Sequence, residues 1–203
     1  MRLRPLFIPA ALLAATLLQA GQPKAAYNSF NDWIGAVTKG VSVGADGALR
    51  LAPALRRVAQ LPEGVIWCAV PDGQGGAYLS AGTDGKLYRY ANGQVRPLAQ
   101  VKGGIVFAMA RVGQDLIVAP SGEGKLYRVS GDGTVKPWCD IDATVVWSMR
   151  AEGTEVVCAG GAQSGAMLIT AREGSSRRLA QLAEETAFTA MCPDGSGGYY
   201  LGS

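Results

Sequence analysis

The sequence predicts an all-β protein built from repeated units of about 40 residues. An aromatic residue within an apolar run recurs at Trp67, Phe107 and Trp147, with a spacing of 40 residues each time. A second marker, GKLYR at 85–89, recurs at 124–128. Glycine accounts for 28 of the 203 residues, about twice the usual share, which favours many tight turns between short strands. Four short strands in each unit are typical of a β-propeller blade, so the predicted fold class is a β-propeller of four-stranded antiparallel blades.

The first complete unit divides into four extended segments joined by turns, at 65–70, 77–81, 86–90 and 94–100. The connections contain Asp84-Gly85 and Asn92-Gly93, dipeptides that supply the positive φ angles of tight hairpin turns. Consecutive strands are therefore predicted to pair antiparallel. No helical pattern of comparable length lies between them, which argues against alternating strands and helices.

The residue after each recurring aromatic is small: Cys68, Ala108 and Ser148. Small side chains at this position predict crowding near the propeller axis, where neighbouring blades converge. The three aromatics are then predicted to be buried in the contacts between adjacent blades. The alternative is that they form an aromatic cage for a ligand.

Residues 1–20 are predicted to be a secretory signal peptide. Two arginines precede a largely apolar stretch at 6–18, which is too short for a bilayer span of about 20 residues. The alternative is a buried N-terminal helix of the fold. Residues 21–40 are predicted to be a linker. The mature chain is therefore expected to be exported, to the periplasm, the cell surface or the medium, and to contain no membrane span.

Residues 41–203 are predicted to form the propeller. Its parts are an outer half-blade at 41–62, blades at 63–102, 103–142 and 143–183, and an inner half-blade at 184–203. The two halves could combine into one blade that closes a four-bladed ring. We favour the other interpretation, a fragment of a larger ring, because four blades is the lower limit of the architecture.

The first unit resembles the blades of bacterial two-component-regulator-type and tryptophan-aspartate-like propellers. The second unit keeps Phe107 and GKLYR but has Ala119-Pro120 where the pattern has Gly-Thr. The resemblance extends over 41–203 and implies a platform that binds ligands or partner proteins. The matching residues of the first unit are VIW at 65–67, Asp72, GG at 75–76, YL at 78–79, GT at 82–83, Gly85, Leu87 and RY at 89–90.

Composition excludes several classes of function. The chain has no histidine, so it lacks Ser-His-Asp and Cys-His catalytic pairs and histidine metal sites. The charges outside residues 1–40 balance, so we expect no nucleic-acid partner. The cysteines contain no CxxC pair, which argues against zinc. Free thiols are predicted and disulfides remain the alternative for Cys68, Cys139, Cys158 and Cys192.

Charged residues gather in the connections that enter the first strand of each unit. In a propeller these connections lie together on one face, around the central channel. Converging carboxylates there could bind Ca²⁺ or act as acid and base, and solvated loop charge is the simpler interpretation. The candidate binding residues on this face are Glu63, Lys102, Asp140, Asp142, Glu184 and Glu185.

The predicted function is that of an exported, non-catalytic propeller that binds a protein, a glycan or a small ligand as a sensor or scaffold module. The first strands carry no carboxylate, so no catalytic residue, metal ligand or cofactor is predicted. The alternative is a metal-dependent propeller hydrolase or lyase that uses the loop carboxylates at the central channel.

Overall fold

The computed structural model describes residues 29–52 and 57–203. The predicted signal peptide, 1–20, and residues 21–28 of the predicted linker lie outside the described residues. The chain divides into two compact units, Met1–Arg56 and Arg57–Ser203, and each is described by itself below.

The described part of the first unit contains a short 3-10 helix and one hairpin. The helix, Phe30–Trp33, begins where the Asp32 carboxylate accepts hydrogen bonds from the Ser29 backbone N–H and hydroxyl. Strands β1 (Val41–Val43) and β2 (Leu49–Leu51) pair antiparallel. Both strands fall within the predicted outer half-blade.

The second unit contains three four-stranded antiparallel sheets and a two-stranded one. In each sheet the strands pair in chain order. The all-β class and the antiparallel four-stranded sheets predicted from the repeats are thus confirmed. The first sheet is β3 (Ile66–Pro71), β4 (Ala77–Ala81), β5 (Lys86–Ala91) and β6 (Gln94–Gln100); the second is β7 (Val106–Val112), β8 (Asp115–Pro120), β9 (Lys125–Val129) and β10 (Val135–Asp140); the third is β11 (Val145–Glu152), β12 (Glu155–Ala162), β13 (Gly165–Arg172) and β14 (Ser175–Leu182); and the C-terminal pair is β15 (Ala190–Pro193) and β16 (Tyr199–Gly202).

The turn between β5 and β6 shows why the sequence forms hairpins. Asn92 has φ of 51° and Gly93 has φ of 77°, which are the two positive angles of a type I′ turn. Such a turn matches the right-handed twist of the strands that it joins, so β5 and β6 pair from Ala91 and Gln94 beside the turn to a register shift between Tyr88 and Leu87.

Successive sheets pack face to face, and β8 shows the principle most clearly. Leu116 and Val118 lie in a buried cluster with Tyr78 and Leu87 of the first sheet. The alternate residues Ile117 and Ala119 lie in a second cluster, with residues of the third sheet. Because neighbouring side chains of a strand point to opposite faces, β8 is apolar on both sides and nearly continuous in hydrophobicity.

The first strands of the sheets contact one another in order, β3 with β7, β7 with β11 and β11 with β15. Each of the three longer sheets therefore presents its first strand along a shared line. This line of first strands positions the candidate site.

Candidate functional site: an aromatic row beside a groove

Three β-bulges place the recurring aromatics. Strand pairing shifts register between Ile66 and Cys68, so Trp67 has no partner on β4. The same shift leaves Phe107 unpaired on β7 and Trp147 unpaired on β11. A bulge turns one residue out of the strand's alternating faces. The three aromatics thereby share one direction instead of entering the contacts between sheets.

The side chains of Trp67, Phe107 and Trp147 form a continuous line, called the aromatic row below. The Trp67 and Phe107 ring centroids are 5.1 Å apart in an edge-to-face arrangement, and those of Phe107 and Trp147 are 4.3 Å apart with an interplanar angle of 33°. The edge-to-face pair has the geometry of an attractive aromatic pair, and the rings of Phe107 and Trp147 are in closer contact. The row thus joins the first strands of three sheets.

The predicted burial of the aromatic row is wrong for its two ends. Trp67 is 41 % exposed and Trp147 is 40 % exposed, while Phe107 is half-buried. The bulges on these first strands are part of the physical reason, because they leave the following small residue to face the neighbouring sheet. Ala108, for example, is 2 % exposed and lies in the cluster between the second and third sheets.

The two exposed indoles differ in their hydrogen bonding. Trp67 Nε1 donates to the Gly82 carbonyl oxygen at 2.7 Å, which fixes its ring against the turn that follows β4. No acceptor for Trp147 Nε1 occurs among the residues that the structure describes. The Trp147 indole therefore presents an exposed edge with a free donor.

A groove of about 370 Å³ runs along the same three strands, and we call it the first-strand groove. Its lining includes Phe107 and Trp147 of the aromatic row. Small and apolar residues form most of its floor, and no aspartate or glutamate lines it. Its other large side chains are Met109, Met149, Arg111 and Arg150.

The two arginines of the groove are bound differently. Arg111 Nε donates to the Gly113 carbonyl at 3.1 Å, and its Nη1 donates to the Asp72 carbonyl. Both acceptors are uncharged, and Arg111 forms no ion pair with a described carboxylate. Arg150 Nε instead donates to Glu152 Oε1 at 2.8 Å.

The Asp72 carboxylate is occupied elsewhere and does not neutralise Arg111. Its Oδ1 accepts the backbone N–H groups of Gln74 and Gly76, each at 2.8 Å, and its Oδ2 pairs with Arg89 Nη2 at 3.3 Å. The hydrogen bond from Gln74 is the main reason that the pKa of Asp72 lies below its usual value. The Asp72 side chain therefore stabilises its own turn.

The predicted carboxylates are each placed in a separate local contact. Glu63 accepts a hydrogen bond from the Tyr88 hydroxyl and lies 3.5 Å from Lys86 Nζ. The Tyr88 hydrogen bond is the main cause of the lowered pKa of Glu63. With 9 % of its side chain exposed, Glu63 serves to hold the connection that precedes β3.

The remaining predicted site residues lie on the surface. Asp140 pairs with Lys125 at 3.0 Å, and Asp142 pairs with Arg178 at 2.8 Å. Within 29–52 and 57–203, no three acidic or cysteine side chains are grouped so that they could hold a metal ion. The other three predicted residues are exposed, and their side chains have no partner in the described part of the chain: Lys102, Glu184 and Glu185.

The GKLYR repeat has a structural role that the sequence did not reveal. Tyr127 donates its hydroxyl hydrogen to Glu123 Oε2 at 2.6 Å, as Tyr88 does to Glu63. The Glu123 hydrogen bond is the main cause that raises the pKa of Tyr127 to about 12. Each repeated tyrosine thus holds a glutamate of a connecting segment against its sheet.

All four cysteines are free thiols. Cys158 is fully buried, and burial raises its pKa to about 12. Cys139 is also buried, and its raised pKa has the same main cause. These two thiols are protonated core residues rather than nucleophiles.

No model of a protein family matches the chain, and no curated protein sequence matches it. In the described part of the chain, no helix has the length and apolar character that crossing a membrane requires.

Proposed function

We propose that the chain is an exported, non-catalytic β-propeller that binds a ring-shaped ligand along the first strands of its blades. The propeller assignment is supported by successive four-stranded antiparallel sheets that pack face to face. It is further supported by first strands that contact one another in chain order. Export is inferred from the charged and apolar pattern of residues 1–20.

The observation that carries the binding proposal is the exposure of the aromatic row. Burying a large aromatic side chain is favourable, yet Trp67 and Trp147 retain 41 % and 40 % of their accessible surface. Both belong to one contiguous line beside a concave groove. A contiguous exposed apolar patch indicates a binding site, whereas single scattered apolar residues do not. A flat ring laid on this row would cover the exposed surface and add a stacking contact.

The row is also rigidly held, which favours binding. The aromatics lie on paired strands rather than on loops, and Trp67 is fixed by its hydrogen bond to Gly82. A ligand would therefore immobilise few side chains on binding, so little conformational entropy is lost. The groove volume of about 370 Å³ suits a small molecule or one sugar unit of a glycan better than a protein surface.

No observation favours the alternative of a metal-dependent hydrolase or lyase. Asp140 and Asp142 are engaged by Lys125 and Arg178, and Glu63 is engaged by Tyr88. The groove itself is lined by no carboxylate that could act as an acid, a base or a metal ligand.

The test uses 2-naphthylacetamide, a neutral molecule with a flat ring system, titrated by calorimetry. We expect the parent to bind it and the Trp147→Ala variant to bind about tenfold more weakly, because an exposed stacking surface is lost. Tyr200→Ala is the matched control, since Tyr200 is an exposed aromatic, at 70 %, that does not line the groove. Absence of binding by the parent, or equal weakening by the two substitutions, would overturn the proposal.

A further inference from the structure

The first-strand groove combines an aromatic wall with an arginine whose charge has no counterion. Among the residues that line it, Arg111 and Arg150 are the charged ones. Arg150 is already paired with Glu152. Arg111 is bound only by carbonyl oxygens, so no described carboxylate neutralises its positive charge.

We propose that the groove takes a small organic anion whose flat ring lies on the aromatic row and whose carboxylate binds Arg111. This inference rests on the proposed binding function of the aromatic row. The inference specifies in addition that the ligand is an anion and that Arg111 is the residue that selects for its charge. Such a ligand is complementary to the groove, which offers a ring surface and a guanidinium group without a counterion and has no acidic side chain in its lining that would repel an anion.

The spacing along β7 fits one molecule that makes both contacts. Phe107 and Arg111 lie four residues apart on this strand, which corresponds to about 13 Å of extended backbone. The guanidinium group lies at the Gly113 end of the strand, where it contacts the Gly113 and Asp72 carbonyls, so a ligand that also reaches the aromatic row has to cover the whole span. A bicyclic ring with a short acidic side arm, together with its hydrogen bond to the guanidinium, has a length of this order.

Arg111 has the donors that a carboxylate needs. Its Nε and Nη1 are used by Gly113 and Asp72, and no acceptor for its Nη2 occurs among the described residues. The two carbonyl contacts hold the guanidinium in place, so an anion that binds its Nη2 would immobilise little of the side chain. Hydrogen bonds between a guanidinium and a carboxylate are stronger than those between neutral groups, and this difference would give selectivity for an anion.

The experiment compares 2-naphthylacetate with 2-naphthylacetamide, which has nearly the same shape and no charge. Calorimetry on the parent is expected to show about tenfold tighter binding of the acid, as a charge-assisted hydrogen bond implies. Added salt should reduce this preference, because it screens the attraction between the charges. This arm of the experiment needs no substitution.

Two variants identify the arginine responsible. Arg111→Gln should bind acid and amide equally, and retained binding of the amide shows that the groove is intact. Arg150→Gln is the matched control and should keep the tenfold preference, because Glu152 already neutralises Arg150. Arg111→Lys, which keeps the charge, should keep part of the preference.

The outcomes separate this inference from the proposed function. If the parent binds both probes equally, or if Arg111→Gln keeps the preference for the acid, the inference is overturned while the binding function stands. If the parent binds neither probe, the binding function itself is overturned, and the inference with it.

Discussion

Trp138 and Trp147 are the same residue type, nine positions apart, and both lie where strand pairing shifts register. Trp138 is 5 % exposed and belongs to the cluster between the second and third sheets, whereas Trp147 is 40 % exposed and belongs to the aromatic row. Trp138 is on β10, the last strand of its sheet, and Trp147 is on β11, the first strand of the next. The position of the strand in its sheet thus decides whether the ring is core or surface.

The size of the neighbouring side chains explains this difference. Where the first strands meet, the contacts between sheets are filled by small residues such as Ala108 and Ala110, while Met167 and Ile169 fill the same cluster on β13. Between the second and third sheets, a large ring therefore fits more easily far from the first strands than beside them. The bulge at Trp147 then directs the ring outward.

The largest effect is expected at Trp138. Replacing Trp138 with Ala should lower the free energy of unfolding by about 3–5 kcal/mol, because a fully buried ring leaves a cavity between two sheets. Denaturant titration followed by circular dichroism measures this loss. A loss no larger than that of Trp147→Ala would remove the distinction between the two tryptophans.

Crowding beside the first strands is tested at Gly160, on β12. A Cβ at this position would overlap the Val145 carbonyl oxygen of the bulged strand β11. Gly160→Ala should therefore cost about 1–3 kcal/mol of unfolding free energy through overpacking. Gly131 has open space around it, so Gly131→Ala is the control and should change stability by less than about 0.5 kcal/mol. Equal stabilities of the two variants would show that the first strands are not crowded.

A smaller loss of stability is expected from Trp147→Ala. The ring is partly buried against Phe107, so its removal should cost about 1–2 kcal/mol, less than a fully buried ring. Thermal and denaturant unfolding of Trp147→Ala and Trp138→Ala under the same conditions provide the comparison. A cost of 3–5 kcal/mol for Trp147→Ala would show that the aromatic row is core after all.

The smallest effect concerns the tyrosine that holds Glu123. The folded-state pKa of Tyr127 is about 12, above its ordinary value of 10.0. The unfolded chain therefore loses this proton first, and the stability contributed by the group is complete below pH 10 and is lost as the pH rises to 12. Tyr127→Phe should cost about 1 kcal/mol below pH 10, as for one hydrogen bond.

The control for this prediction is the pH dependence of the difference between the two proteins. The other tyrosines titrate in both the parent and Tyr127→Phe. The difference between their free energies of unfolding therefore reports on the Tyr127 hydroxyl alone. Unfolding midpoints measured in steps from pH 8 to pH 12 should converge toward the upper end. Parallel curves over this range would contradict the role given to Glu123.

The sequence was informative wherever the structure depends on local pattern. The 40-residue spacing and the Asn92-Gly93 turn predicted antiparallel four-stranded sheets, because turn chemistry and strand alternation act over a few residues. The exposure of Trp67 and Trp147 could not be predicted this way. A continuous apolar run such as 65–70 does not indicate a bulge. The bulge at Trp67 depends on the register between β3 and its partner strand β4.

The site residues show the same limit. Glu63, Asp140 and Asp142 were predicted only as candidate binding residues on one face, with solvated loop charge as the simpler interpretation, and the sequence did not indicate the distant partner that each of them meets. Arg111 looks like an ordinary strand residue in the sequence. Its missing counterion becomes apparent only when the neighbouring turn at Asp72 is placed beside it.

The central claim is that the aromatic row binds a ring while Trp138 belongs to the core. The chain has four tryptophans, so the indole N–H region of a ¹⁵N–¹H correlation spectrum is simple enough to assign with single substitutions. On addition of 2-naphthylacetate, the signals of Trp67 and Trp147 are expected to shift progressively, and that of Trp138 is expected to stay in place. An unmoved Trp147 signal, or a Trp138 signal that shifts as far, would contradict the account.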